Sequence, residues 1–480
     1  MNRLQKANEY IQQSKEKVTS RPLYHFSPEI GWMNDPNGFI FFEGEYHLFY
    51  QHNPYDIVWN DIHWGHAKTK DFINWEYLPE ALANDKAYDT NGCFSGSAIE
   101  KEGKLYVMYT GHIDPNLGFD RDEPEISQSQ CLAYSSDGVN FEKYPLNPVI
   151  GKKQLPEGYL ICDFRDPKIL EVDEVFYCVL AVRNEQRRGE ILMFKSHNLL
   201  DWTFHSSIYQ TKFDDNTLLE CPDLFRINDK DVLLFSEMPC DPEYSDQIKN
   251  KTAYVIGEMD FEHGVFTTHK KGLLDYGHTF YAPQSTQGKD GERVLMGWMH
   301  RWHDTMPPKE YGYNGMMSIP RQLSIKNSVL FQTPFIDHQK YFRESEVFEN
   351  INLQSEMNIA GTEAGYLKVI SNENTKKITI ELNKNEEKST SFEFNLEKNI
   401  LLINSDYGSQ EPIVLDNCFG AFKGEKTLEF YFDLHSVELF LNSGEKVVSF
   451  TAYDQNKGTG ISITGVKTEL KEVRFEAFGS

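Results

Sequence analysis

No stretch of this 480-residue chain is apolar for long enough to span a bilayer, which takes about 20 consecutive residues. The start, MNRLQKANEYIQQSKEKVTS, lacks the apolar centre of a secretory signal and reads as a polar helical arm over residues 1–20. Cysteine is sparse and odd in number, at 93, 131, 162, 178, 221, 240 and 418, and no Cys-x-x-Cys pair occurs. That argues against a disulfide framework or a thiolate zinc site, and for a reducing, cytoplasmic setting. Basic residues are in deficit: 48 Lys and Arg against 73 Asp and Glu leave a formal charge of −25. Such a field repels DNA and anionic lipid, so neither nucleic acid nor membrane is expected as a partner. Gly-rich phosphate loops, P-loops and the G-x-S-x-G elbow are also missing, which leaves nucleotide and serine-hydrolase chemistry without support.

What is present is strand. A chain of this length exceeds one ordinary core, so two domains are expected. Over residues 21–338 short aromatic and β-branched runs such as FIFFEGEYHLFYQ, KLYVMYTGH and VFYCVLAVR alternate with Gly, Asn, Asp and Pro. Long amphipathic helices are absent there, which points to an all-β architecture. A weak repeat runs through it. Thr69-Lys-Asp71-Phe-Ile-Asn74-Trp75 returns as Ser135-Ser-Asp137-Gly-Val-Asn140-Phe141 and as Ser196-His-Asn198-Leu-Leu-Asp201-Trp202, with a fainter copy from Asp260 to Phe266. Each unit of roughly 60–66 residues has room for about four short strands, the content of one propeller blade, and the region holds about five units. Residues 346–480 change texture to alternating strands. Ile378, Ile380 and Leu382 share one face, as do Phe392, Phe394 and Leu396, and Val473, Phe475 and Ala477. Asn442-Ser-Gly444 is a hairpin signal. The fold expected is a five-bladed β-propeller followed by a C-terminal β-sandwich.

Three acidic motifs stand out: Asn34-Asp35-Pro36-Asn37-Gly38 after Trp32, Phe164-Arg165-Asp166-Pro167-Lys168, and Leu219-Glu220-Cys221-Pro222-Asp223 at the end of an apolar run. The first and third have an ordinary reading as turns, and Arg165-Asp166 has one as a neighbouring ion pair on a solvated strand end. A carboxyl held beside an apolar wall has a second one, because burial raises its pKa toward the range a general acid needs. The pair His63 and His66 invites a metal, but His-x-x-His on a strand sends the rings to opposite faces, so a structural role is expected and no metal.

The ordered set Trp-Met-Asn-Asp-Pro-Asn-Gly, Gln51-x-Asn-Pro, Trp59 with His63-Trp64-Gly65-His66, Phe94-Ser95-Gly96-Ser97, Phe-Arg-Asp-Pro-Lys, Glu-Cys-Pro-Asp and Phe280-Tyr281-Ala282-Pro283-Gln284 resembles glycoside hydrolase family 32. That family comprises invertases, bacterial sucrose-6-phosphate hydrolases, inulinases and levanases. The likeness extends through Gly297-Trp298-Met299 and Ser318-Ile-Pro320-Arg321 to the stretch Ser436–Glu445, nearly the whole chain. It implies a retaining β-fructofuranosidase that needs no cofactor, with Asp35 as nucleophile, Glu220 as acid/base and Asp166 as transition-state stabiliser. It implies a fructose pocket of Asn34, Gln51, Trp59, Phe94, Ser95, Arg165 and Trp298, and a small sugar as partner. Polymer-acting levanases or inulinases, and a sugar-binding homologue without catalysis, are the alternatives. His52, Asn60-Asp61 and Leu219 depart from the usual pattern and are expected to reshape the leaving-sugar subsite. Arg301, His300, His303 and Arg321 are candidates to bind a 6-phosphate, with a role as ordinary loop charges equally open.

Overall fold

The computed structural model describes residues 1–116, 125–211, 216–240, 250–300, 302, 307–407, 412–420, 424–454 and 456–479. After an N-terminal helix, Arg3–Ser14, four-stranded antiparallel units follow one another. Their first strands are Gly31–Phe42, Gly92–Lys101, Arg165–Val172, Thr217–Ile227 and Tyr281–Gln287. Each first strand touches the first strands of its two neighbours, and the fifth returns to the first, closing a five-bladed propeller. A short strand, Tyr313–Asn314, adds in parallel to the first blade. Closure of this kind leaves only short sheet edges free.

The sequence repeat joins the third strand of a blade to its fourth. In the first copy Asp71 Oδ1 accepts from the amides of Ile73 and Asn74 at 3.1 and 2.8 Å, and Asn74 Nδ2 closes the turn onto Asp71 Oδ2 at 3.0 Å. Asp137 and Asn140 repeat this at 2.9, 2.8 and 2.8 Å. In the third copy amide and carboxylate have exchanged places: Asn198 caps the turn and donates to Asp201 at 2.8 Å. His263 takes the last position in the fourth, with Nδ1 2.8 Å from Asp260. These side chains replace backbone partners that a tight turn cannot supply.

Two six-stranded sheets pack face to face behind the propeller. Ile378, Ile380, Leu382, Phe392, Phe394, Val473 and Phe475 all lie in their shared core, as strand alternation requires. The hairpin tip at Asn442-Ser443-Gly444 docks on blade five. Gly444 sits at φ 88°, and a Cβ there would lie 1.7 Å from the Gln332 carbonyl oxygen, so only glycine fits.

A buried charge network joins propeller to sandwich. Arg321 is fully buried and donates to Glu438 at 2.6 Å, Asp275 at 3.0 Å and Ser449 at 2.7 Å. Of the two readings open for Arg321, phosphate binding is therefore corrected: the guanidinium is consumed by two carboxylates inside the interface. Beside it, His25 places Nδ1 3.0 Å from Asp433 and Nε2 3.0 Å from Glu438. Burial alone would lower the imidazole pKa, but the two carboxylates outweigh it and raise it to about 9. With both nitrogens donating, His25 is an imidazolium. Because its folded pKa lies above the unfolded value, its stabilisation is complete below about pH 6.5 and fades as pH rises through about 9. The difference in melting temperature between wild type and His25→Gln should accordingly be large at pH 6 and much smaller at pH 9.5. A pH-independent difference would contradict the charged assignment.

Candidate active site

All the acidic motifs fall on first strands, and each first strand breaks its pairing there. Register shifts occur between Met33 and Pro36, Phe94 and Gly96, Glu220 and Asp223, and Tyr281 and Gln284, and opposite Asp166 between Val179 and Ala181. Four of the five breaks carry an X-Pro step: Asp35-Pro36, Asp166-Pro167, Cys221-Pro222 and Ala282-Pro283. Proline lacks the amide that a ladder would need. The remaining break has Gly96, where a Cβ would come within 1.9 Å of the Met108 carbonyl oxygen. Asp166, Cys221 and Ala282 take positive φ of 63°, 48° and 47°, conformations that L-residues hold only under constraint. Bulges of this kind re-aim side chains, here toward the propeller axis.

The residue one or two places further on latches neighbouring blades together. Asn37 accepts from the Gly96 amide at 3.2 Å, Ser97 from Ile169 at 2.9 Å, Asp223 from Ser285 at 2.6 Å and Gln284 from Phe39 at 2.8 Å. Lys168 crosses the axis to the Ser285 carbonyl at 2.7 Å and Asp223 at 3.2 Å. These contacts link all five first strands in a polar ring.

Above it Asp35, Asp166 and Glu220 converge. Asp35 accepts from Ser95 Oγ at 2.6 Å, Asn34 Nδ2 at 3.1 Å and Cys221 Sγ at 3.3 Å. Asp166 accepts from the Cys221 amide at 2.9 Å and lies 3.8 Å from Arg165 Nε. Glu220 accepts from Arg165 at 2.6 Å and from the Tyr281 hydroxyl at 2.6 Å. Burial raises the Asp35 pKa, with repulsion from Glu220 adding and the Ser95 and Asn34 hydrogen bonds opposing. Burial also pushes Asp166 up to about 7; Arg165 pulls it down and Glu220 drives it up. Crowded carboxylates titrate as a unit, and this one retains a proton close to neutrality.

Aromatic rings wall the site. Trp59 faces Phe94 and Trp302 at centroid distances of 5.8 and 6.2 Å, and Phe94 stacks on His112 at 4.0 Å. Trp298 is fully buried edge-on to Trp32 and Trp302, and Trp32 donates to Asn34 at 2.7 Å. Gln51 holds the Cys93 carbonyl at 2.9 Å, next to Phe94. The structure thus gathers the ten residues named from sequence around one end of the axis.

The expectations for His52 and Leu219 are corrected. His52 is buried between Glu80 at 2.8 Å and the Ile30 carbonyl at 2.8 Å, and Leu219 is fully buried between blades, so neither faces a sugar. His300 is buried against Trp298; Arg301 and His303 lie outside the described residues. His63 bonds the Asp61 carbonyl and His66 pairs with His47, so the two histidines do not meet. Tyr281, the Cys221 thiol and Trp302 were given no role from sequence. The recurring X-Pro step, in register with Asp35, Asp166 and Cys221, is the signal that singles out the strand of Tyr281.

The model of the glycosyl hydrolases family 32 N-terminal domain matches residues 25–334. A sucrose-6-phosphate hydrolase of Escherichia coli is 33% identical over 465 residues, 93% of this chain and 92% of that protein. One from Zymomonas mobilis is 36% identical over 345 residues, 69% of this chain and 64% of its own length. A solved Bombyx mori GH32 beta-fructofuranosidase superposes with a TM-score of 0.86 at 31% identity, covering 99% of this chain and 98% of that one.

Arg165 is the cation that opposes protonation of this cluster. Replacing it by Gln should move the carboxyl titration seen by ¹³C NMR upward from about 7, whereas Arg165→Lys, which keeps the charge, should leave it nearly in place. A titration unmoved or lowered in Arg165→Gln would contradict the arrangement.

Proposed function

The chain belongs to glycosyl hydrolase family 32, and on that footing we propose that it is a retaining β-fructofuranosidase. Its substrates are the terminal β-D-fructofuranosyl bonds of sucrose, sucrose 6-phosphate or short fructo-oligosaccharides. The observation that carries the reading is the convergence of three buried carboxyls at the end of the axis: Asp166 and Glu220 face the Arg165 guanidinium, Glu220 accepts from the Tyr281 phenol, and Cys221 bridges Asp166 to Asp35.

Cleavage of a fructoside develops positive charge at the anomeric carbon. Asp35 attacks that carbon, and the hydrogen bonds from Ser95, Asn34 and Cys221 fix its orientation while countering the effect of burial. As the bond to the leaving sugar breaks, Glu220 delivers a proton to the departing oxygen. Water then attacks the fructosyl ester; Glu220 takes its proton, and Asp35 leaves as carboxylate. Asp166, anchored by the Cys221 amide, binds fructose hydroxyls and strengthens its hold as charge develops. The two carboxyls of a retaining pair stand about 5–5.5 Å apart, a spacing that suits direct attack.

A cytoplasmic location accords with a sparse set of cysteines that contains no Cys-x-x-Cys pair; among the described residues no helix is long and apolar enough to cross a membrane. A single series of assays tests the function. Purified protein should release fructose from at least one of the three substrates, first as the β-anomer by NMR, and kcat/KM should rank them. Asp35→Asn should lose turnover by about 10⁴-fold or more while melting as the wild type does. No fructose release from any of the three, or initial α-fructose, would overturn the proposal.

A further inference from the structure

The N-terminal helix lies outside the ring of blades, yet two of its side chains reach the rim of the site. Asn2 opens it with a capping box to Gln5, which satisfies amides that would otherwise lack partners. Ala7 and Ile11 are buried, Asn8 accepts from the Glu80 amide at 2.9 Å, and the helix packs on the strand Trp75–Leu82 of blade one. From that seat the helix contacts the segment over residues 55–61. Tyr10 sets its ring 5.1 Å from Tyr55 and its hydroxyl 3.4 Å from the Tyr55 carbonyl oxygen. Arg3 pairs with the carboxylate of Asp61.

Asp61 is the informative residue. Its φ is +45°, a left-handed conformation that costs an L-residue about 1 kcal/mol and that glycine would adopt freely. Here the side chain is used: Asn84 Nδ2 donates to Oδ1 at 3.0 Å, and Arg3 reaches the same oxygen. The Asp61 carbonyl accepts from His63 Nδ1 at 2.6 Å. Between the two anchored ends, at Tyr55 and Asp61, stands Trp59, the wall opposite Phe94 and Trp302. The segment has little core of its own. Asp56, Val58 and Asn60 are exposed, and its interior is tied by Asn53 to the Val58 carbonyl at 2.9 Å and Asn314 to the Ile57 carbonyl at 3.1 Å. Segments with few buried apolar contacts open at low cost, so fixed ends decide where the indole sits.

We propose that the N-terminal helix is a positioning element for substrate binding: Arg3 and Tyr10 hold the 55–61 segment so that Trp59 presents its ring to the sugar. This rests on the β-fructofuranosidase reading and adds to it a specificity determinant outside the propeller. Arg3 and Tyr10 act through Trp59 and touch no reacting atom. Their loss therefore weakens binding and leaves the carboxylates as they were.

The test is the double variant Arg3→Ala/Tyr10→Ala in the full-length protein, read by sucrose kinetics and by calorimetric titration with fructose. KM for sucrose and the fructose dissociation constant should each rise about tenfold, a loss of about 1.4 kcal/mol of binding, with kcat within about twofold. Arg3→Lys/Tyr10→Phe, which keeps charge and ring, should recover most of the binding. In a Trp59→Ala background the same double substitution should add nothing further, because the contact it positions is already gone. Unchanged KM and fructose affinity in Arg3→Ala/Tyr10→Ala, or an equal loss with and without Trp59, would overturn the proposal even with hydrolysis intact. Wild type that binds fructose but hydrolyses none of the three substrates would instead overturn the proposed function, and the fructose titration would still decide the role of the helix.

Discussion

Five chain segments must leave regular strand pairing at one height around a closed ring, and the rest of the molecule is arranged about that requirement. A regular first strand would alternate its side chains between the two neighbouring blades, and a carboxylate on it would be buried against apolar packing. The break at each X-Pro step, or at Gly96, turns one residue toward the axis and frees the next to bond an adjacent blade. The same local irregularity thus makes the site and ties the blades together. Strain at Asp166 and Cys221 is tolerated because inter-blade hydrogen bonds over-determine those positions.

Collecting three carboxyls, only two of them against the Arg165 guanidinium, leaves an excess of negative charge that burial makes costly. The site meets this by keeping a proton and by lending Asp35 three donors. In the proposed reaction the donors to Asp35 orient the nucleophile, and the negative charge of the site faces a cationic transition state. A second buried charge network, around Arg321 and His25, uses opposite signs in near balance and joins the two halves of the chain.

Much of this was legible in the sequence, for particular reasons. The Asx turns at Asp71, Asp137 and Asn198 are local, so their spacing alone revealed the blades. Asp35 and Glu220 could not be separated from ordinary turns, nor Asp166 from a surface ion pair, one at a time; their order with the other motifs selected them. What stayed hidden depends on distant partners. Arg321 reads as a loop cation because Asp275 and Glu438 stand 46 and 117 residues away. His52 reads as a pocket residue because Glu80 is 28 residues off. Tyr281 has no acidic neighbour in sequence, and its bond to Glu220 emerges only when blades four and five are placed side by side.

The central claim is that Asp35 forms the bond to fructose while Glu220 moves the proton. It is tested most directly with Glu220→Gln and a fructoside carrying an activated leaving group, which departs without protonation while hydrolysis of the ester lacks its base. Mass spectrometry of the quenched protein should show an adduct of one fructosyl unit, and peptide mapping should place it on Asp35. An adduct on Asp166 or elsewhere, or steady release of fructose with none accumulating, would contradict the account.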